Sequence, residues 1–148
     1  MNKQKTINYI IAITRLYLAV YFILSGLGKI NNLEYFANSI ENYRLFPLVL
    51  INILAITIPW IELISGSLLL LGVFVKENSI IIATLLFLFT IAVFSAVIRN
   101  LNIDCGCHGT VDGQKVGLLK IIENVFLFIL ALVSIKFPSQ VMRFVKYF

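Results

Sequence analysis

Long apolar runs separated by short polar stretches dominate the chain, and they predict membrane-spanning helices. A helix needs roughly 20 apolar residues to cross the hydrocarbon core of a bilayer. Four runs reach that length, and little sequence is left outside them, so we expect an all-α, four-helix transmembrane bundle that forms a single integral-membrane domain over residues 1–148. The predicted spans cover residues 7–27, 48–75, 79–97 and 116–135.

Two shorter patterns predict how the spans are connected. Apolar residues at helical spacing between the first two spans, with polar residues between them, predict a short amphipathic helix on the extracytoplasmic membrane surface: Leu33, Phe36, Ile40 and Tyr43. A plain surface connector is the alternative. Pro47 suits the first turn of the second span. We expect the turn between the second and third spans at Lys76-Glu77-Asn78.

Composition agrees with a membrane protein and changes how the charge is interpreted. Hydrophobic residues make up 60% of the chain, and the mean hydropathy of +0.98 is too high for an ordinary soluble domain of this size. The net charge is +5 and the pI is near 9.4. Because the basic residues are scattered near the ends of the runs, we expect contact with membrane lipid and no binding of nucleic acid. Arg15 interrupts the first run, which favours a retained helix over a cleaved signal peptide.

The basic residues also predict the topology. Four spans place both termini on one side, which carries six basic residues near the span ends against four on the other side. The positive-inside rule therefore predicts a multi-pass protein with cytoplasmic termini and an extracytoplasmic loop between the third and fourth spans. That loop holds both cysteines, and disulfides form and persist on that side of the membrane.

The cysteine motif, Cys105-Gly106-Cys107-His108-Gly109, is the clearest candidate for chemistry, since it contains both cysteines and the only histidine. A purely structural disulfide is an inefficient use of the two thiols, because closing so short a loop lowers the entropy of the unfolded chain little and so adds little stability. Zinc normally takes four ligands, and this spacing does not supply them, so no metal site is predicted; Cu(I) could still accept two thiolates. Redox exchange between dithiol and disulfide remains the leading interpretation.

The two thiols are expected to differ in reactivity. His108 beside Cys107 could stabilise a thiolate or act as a base. Asp104 beside Cys105 would raise the pKa of that thiol by like-charge repulsion. We therefore predict Cys107 to be the better nucleophile, with His108 as a catalytic candidate. The amphipathic helix between the first two spans is a candidate to cover this loop.

Ionisable residues inside the spans are expected to face the bundle and find partners, because isolated charges are costly there. We predict an intramembrane pair between Arg15 and Glu62. Lys120 and Glu123 are three residues apart and share a helix face just below the cysteine loop. With Asn124 and Lys29 they form a predicted supporting set, in which Lys120 could stabilise a Cys107 thiolate.

Small residues in the first two spans allow close helix approach, and they could equally line a cavity for a small hydrophobic molecule such as a quinone. They are Ser25, Gly26 and Gly28 in the first span and Ser65, Gly66 and Ser67 in the second.

The chain resembles the DoxX/MauE family of redox-associated membrane proteins along most of its length. The sharpest similarity is Asp104-Cys105-Gly106-Cys107 with Gly109; that family pattern has phenylalanine where this chain has His108. The weaker similarities are Arg15, Ser25 to Lys29, Phe36, Ile40, Tyr43, Pro47, Pro59, Glu62, Gly66 and Asn124.

The resemblance implies a thiol–disulfide oxidoreductase or maturation factor in the bacterial inner (cytoplasmic) membrane that works with a thioredoxin-fold partner and a disulfide-containing client. In methylamine utilisation the implied client is the small subunit of methylamine dehydrogenase. With two cysteines, the second electron carrier must be a partner or a bound small molecule, for which a quinone is the candidate cofactor. The alternative is a non-enzymatic membrane assembly factor with a structural Cys-Gly-Cys clip or a Cu(I)-binding loop.

Overall fold

The computed structural model describes residues 3–106 and 115–137, with side chains from residue 7 onward, and this part of the chain is built from five α-helices. Four of them are long and apolar enough to span a membrane, α1 doing so with residues Ile7–Asn31. The helices are α1 (Lys3–Asn31), α2 (Leu33–Asn42), α3 (Leu48–Leu71), α4 (Val75–Ile98) and α5 (Leu118–Lys136). The predicted all-helical class with four spans is confirmed.

The four long helices form a bundle in which α1 packs on α3, α3 on α4, α4 on α5 and α5 back on α1. Aliphatic and aromatic side chains fill its centre, among them Leu18, Phe22, Leu69, Ile82 and Leu127. Large apolar side chains also cover the outside of all four helices, as expected of surfaces that contact lipid rather than water.

The connection between α1 and α3 is a helix, as its apolar spacing predicts. Helix α2 lies against α3 and α1 at the end of the bundle where α1 and α4 finish and α3 and α5 begin, which we call the loop end. It buries Phe36 and Ser39. Pro47 immediately precedes α3 as its N-cap residue. The position of α2 at a membrane surface stays a prediction.

The turn between α3 and α4 lies earlier in the chain than predicted. Helix α3 ends at Leu71 because Gly72 adopts the left-handed conformation, with φ of 73°, and its N–H bonds to the carbonyl of Leu69. Helix α4 begins at Val75, so Lys76, Glu77 and Asn78 lie in its first turn. The Asn78 side chain donates to the carbonyls of Val73 and Phe74, both at 3.0 Å, and thereby stabilises the turn itself.

Two glycines let α1 and α3 approach closely. A Cβ atom at Gly26 would lie 2.8 Å from the carbonyl oxygen of Pro59, and one at Gly66 would lie 3.0 Å from that of Ala19. Backbone meets backbone at both points, so neither neighbour could move aside easily. Gly26 and Gly66 therefore serve helix packing, one of the two roles expected for the small residues of these spans.

Replacing Gly26 with valine is expected to lower the free energy of unfolding by about 1–3 kcal/mol, because the added methyl groups would force α1 and α3 apart. Unfolding of the detergent-solubilised protein by dodecyl sulfate, followed by far-ultraviolet circular dichroism, measures the change. Leu24→Val is the matched control, since Leu24 lies on the same helix and is 61% exposed on its outer side. Equal effects of the two substitutions would contradict the close-packing role of Gly26.

Candidate functional site

The loop that carries the cysteine motif is closed at its base by backbone pairing. Asp104 and Lys115 form an isolated antiparallel β-bridge, and the N–H of Val116 donates to the carbonyl of Ile103 at 3.0 Å. These contacts bring the chain that leaves α4 back beside the chain that enters α5. The stem therefore fixes both ends of the segment that carries the cysteine motif.

Cys105 lies inside this stem region and not on its surface. It is disulfide-bonded and only 1% exposed, and it packs in a cluster with Tyr43, Val93 and Ala96. Cys107 and His108 lie outside the described residues, so their predicted roles stay predictions. Cys105 lies in a polar stretch of the sequence, but the end of α4 and the residue after α2 cover it.

Helix α2 covers the start of the cysteine motif, as the sequence analysis suggested. Gly106 has φ of +66°, and a Cβ atom there would lie 2.5 Å from Cβ of Ser39 on α2. Only glycine fits this position, because the left-handed backbone and the near contact both exclude a side chain. The motif therefore needs its central glycine in order to lie against α2.

Tyr43 connects the end of α2 to the cysteine and to α4. Its hydroxyl donates to the carbonyl oxygen of Cys105 at 3.2 Å, and its own carbonyl accepts from Nη1 of Arg99 at 2.9 Å. Its ring packs edge-on against Phe89. Burial raises the pKa of the Tyr43 phenol, so the hydroxyl stays protonated and remains a donor.

A buried ion pair joins α1 to α3 near the loop end. Nζ of Lys29 lies 2.6 and 2.8 Å from the two carboxylate oxygens of Glu62, which also accepts a hydrogen bond from Ser25 at 3.2 Å. The Lys29 ammonium also lies 5.0 Å from the centre of the Phe36 ring. Lys29 and Glu62 are 3% and 6% exposed.

The predicted pair between Arg15 and Glu62 is therefore wrong in its cation. Arg15 precedes Lys29 by fourteen residues, which is about 21 Å along a helix and far beyond the reach of an arginine side chain. Arg15 is itself buried within α1. Lys29, predicted only as a supporting cation, is the partner of Glu62.

Lys120 and Glu123 form the pair that their spacing predicts, with Nζ and Oε2 2.7 Å apart. The other carboxylate oxygen of Glu123 accepts from the Tyr21 hydroxyl at 2.9 Å, which joins α5 to α1. Lys120 is buried, and it lies three residues after Gly117, where the loop ends. A contact between Lys120 and Cys107 stays a prediction.

A cavity of about 170 Å³ lies between the helices beside this set of residues. Its wall is mostly aromatic and aliphatic. Besides two tyrosines, the polar residues of the wall are Ser25, Lys29, Glu62 and Asn124. Asn124 is 3% exposed, and its side-chain nitrogen has no hydrogen-bond partner among the described residues. Leaving such a donor unsatisfied costs about 1–3 kcal/mol.

The structure thus brings together Lys29, Glu62 and Asn124 at one cavity, while Lys120 and Glu123 pair on α5. Sequence reasoning missed Tyr21, Ser39 and the role of Tyr43. The sequence did indicate that Tyr43 is buried, since it is the last apolar position in the helical pattern of α2, just before the chain turns toward α3. Among residues 3–106 and 115–137 no three His, Cys, Asp or Glu side chains come together as a metal site would require.

The family model for methylamine utilisation protein MauE matches residues 7–137. A curated relative, the methylamine utilization protein MauE of Paracoccus denitrificans, is 29% identical over 119 residues, which are 80% of this chain and 64% of the relative. The chain thus spans a little under two thirds of that relative's length. No solved structure matches. Since the family model covers nearly the whole chain, the protein belongs to the MauE family of membrane proteins linked to methylamine utilisation.

Proposed function

We propose that the protein is a membrane thiol–disulfide oxidoreductase that uses Cys105 and Cys107 to exchange a disulfide with a thioredoxin-fold partner. The observation that carries the proposal is the state of Cys105, which is disulfide-bonded and buried against Tyr43 and the end of α4. A covered sulfur suits a resolving cysteine, which must be kept away from thiols other than its partner's.

The proposed exchange oxidises the partner. A thiolate of the reduced partner attacks the sulfur of Cys107 and forms a mixed disulfide, and Cys105 leaves as a thiolate. The partner's second thiolate then attacks the mixed disulfide, so that the partner gains a disulfide and the Cys105–Cys107 pair is reduced. Two electrons and two protons pass from the partner dithiol to the cysteine pair.

The biological setting of this chemistry is part of the same proposal. The name of the relative refers to methylamine utilisation. Within that process we propose maturation of a disulfide-containing client, such as a subunit of methylamine dehydrogenase. A multi-pass protein of the bacterial inner membrane with cytoplasmic termini would hold the loop end on the oxidising, extracytoplasmic side. The thioredoxin-fold partner would carry the disulfide between loop and client.

Trapping the mixed disulfide tests the proposal. In Cys105→Ser the resolving thiol is gone. A purified thioredoxin-fold protein that keeps only the first cysteine of its Cys-x-x-Cys site, activated as a disulfide with thionitrobenzoate, should therefore become covalently linked to the remaining Cys107 as thionitrobenzoate leaves. In Cys107→Ser the remaining thiol is the buried Cys105, so we expect about tenfold less adduct or lower. Non-reducing gels and mass spectrometry of the nanodisc-embedded protein measure both adducts.

The outcome that would overturn the exchange model is the absence of adduct from both variants while each retains the helical content of the wild type. More adduct from Cys107→Ser than from Cys105→Ser would reverse the roles of the two sulfurs. The double variant is the control for adducts that do not involve these cysteines.

One observation favours a second function, a non-enzymatic assembly factor. The burial of Cys105 is also what a structural clip would show, with the Cys-Gly-Cys turn shaping a docking loop. The two readings predict different reduction behaviour, since a clip should resist reduction by glutathione whereas an exchange site should not. Copper content of the purified reduced protein tests the related possibility of a Cu(I)-binding loop.

A further inference from the structure

The cavity beside the cysteine stem has the features of a ligand site inside a membrane-spanning bundle. Residues of all five helices line it, and its volume is about 170 Å³. An apolar cavity of about 150 Å³ accommodates a single benzene ring. The space therefore matches one substituted six-membered ring, and its position among spanning helices favours a molecule that dissolves in the bilayer.

The polar groups of the wall define the chemistry of the ligand further. Asn124 offers a buried amide donor that no described residue satisfies, so the complementary ligand group is a hydrogen-bond acceptor such as a carbonyl oxygen. Lys29 supplies a cation, held by Glu62, that would favour negative charge developing on a nearby oxygen. Phe36 and Phe89 supply aromatic faces. An apolar ring with carbonyl acceptors is a quinone headgroup.

We propose that this cavity binds the headgroup of a membrane quinone, which reoxidises the cysteine pair. This inference rests on the proposed function. Two thiols lose two electrons and two protons and form one S–S bond, and the quinone gains two electrons and two protons and becomes a quinol. The quinol then leaves through the lipid phase.

Two residues that line the cavity also lie against the cysteine motif, which supports electron transfer between the cysteine pair and a bound quinone. Tyr43 lines the cavity and donates its hydroxyl hydrogen bond to the Cys105 carbonyl at 3.2 Å. Phe36 also lines the cavity, and its ring lies 3.7 Å from the position of a Cβ atom on Gly106. A quinone in the cavity would thus be separated from the cysteine backbone by single side chains.

Direct binding tests the inference. The probe is ubiquinone with one isoprenoid unit, added to protein in nanodiscs made from synthetic lipid without quinone, and bound probe is measured by equilibrium dialysis against empty nanodiscs. We expect saturable binding, abolished by Ala92→Phe, which fills the cavity from α4. Asn124→Leu should weaken binding about tenfold, since it removes one buried hydrogen bond.

Ser134→Ala is the matched control. Ser134 is buried on the same helix as Asn124 and its hydroxyl also has no partner among the described residues, but it does not line the cavity. It should leave binding unchanged. Equal, non-saturable uptake by all variants would overturn the inference and show partition into lipid only, and equal loss in Ser134→Ala and Asn124→Leu would show a general packing effect instead.

The failure of this inference can be distinguished from failure of the proposed function. Quinone binding is measured on the Cys105→Ser/Cys107→Ser double variant as well, and it should persist there because Cys105 is not among the described residues that line the cavity. Mixed-disulfide trapping without quinone binding would remove the quinone and keep the exchange function. Quinone binding without trapping or reduction would keep the site and remove the exchange function.

Discussion

Replacing Lys29 with methionine is expected to destabilise the protein by about 3–5 kcal/mol, because it leaves the Glu62 carboxylate buried without its cation. The two side chains are almost fully buried, and both oxygens of Glu62 bond to Lys29. The free energy of unfolding in mixed micelles, measured by dodecyl sulfate titration, gives the size of the effect.

Two further variants separate charge from packing. The double variant Lys29→Met/Glu62→Leu should recover most of the lost stability, since it removes both charges and keeps apolar volume. Lys76→Met, at an exposed position in the first turn of α4, should change stability by less than about 0.5 kcal/mol. A double variant as unstable as Lys29→Met alone would mean that the shape of the lysine, and not its charge, is required.

Replacing Gly106 with alanine should release the cysteine motif from α2. The left-handed backbone costs a residue with a side chain about 1–2 kcal/mol, and the new Cβ would lie 2.5 Å from Cβ of Ser39. The population of the locally opened state that exposes Cys105 should therefore rise by about tenfold or more. The rate at which a small phosphine reduces the disulfide, followed by alkylation and mass spectrometry, reports this opening.

Gly117→Ala provides the comparison for this variant, because a Cβ atom at Gly117 would meet nothing within 4 Å. It should leave the reduction rate near that of the wild type. Adding Ser39→Gly to Gly106→Ala should restore part of the protection, since it removes the near contact but not the backbone strain. Unchanged reduction of Gly106→Ala would show that contact with α2 does not protect the disulfide.

The helices were predictable because apolar runs of this length have few alternatives in a chain of such composition. Their ends were less so. Lys76-Glu77-Asn78 reads as a polar turn, yet Gly72 ends α3 first, and Asn78 then stabilises the turn from inside α4. A polar residue that caps a turn and one that forms it look alike in a sequence.

The ion pair shows a similar limit. The first span was predicted to end at Leu27, because the apolar run stops there, which placed Lys29 just beyond the end of the span. Helix α1 continues to Asn31, so Lys29 stays on the face that meets Glu62. The Lys120–Glu123 pair was predictable because it is local, whereas Lys29 with Glu62 depends on how two helices are aligned.

The burial of Cys105 could not be predicted from its neighbours in sequence. Asparagine, aspartate and glycine surround the motif and are typical of an exposed loop. Its cover comes from Tyr43, which lies 62 residues earlier, and from the close contact between Gly106 and Ser39. The glycine between the cysteines was a signal for tight packing as well as for a tight turn.

The reduction potential of the cysteine pair tests the proposed function most directly. It is measured by equilibrating the nanodisc-embedded protein in glutathione buffers of graded ratio and counting alkylated cysteines by mass spectrometry. The exchange model predicts a potential of about −200 mV or higher, where partner proteins can reduce and reoxidise the pair. A value below about −300 mV would contradict it and identify the disulfide as a structural clip.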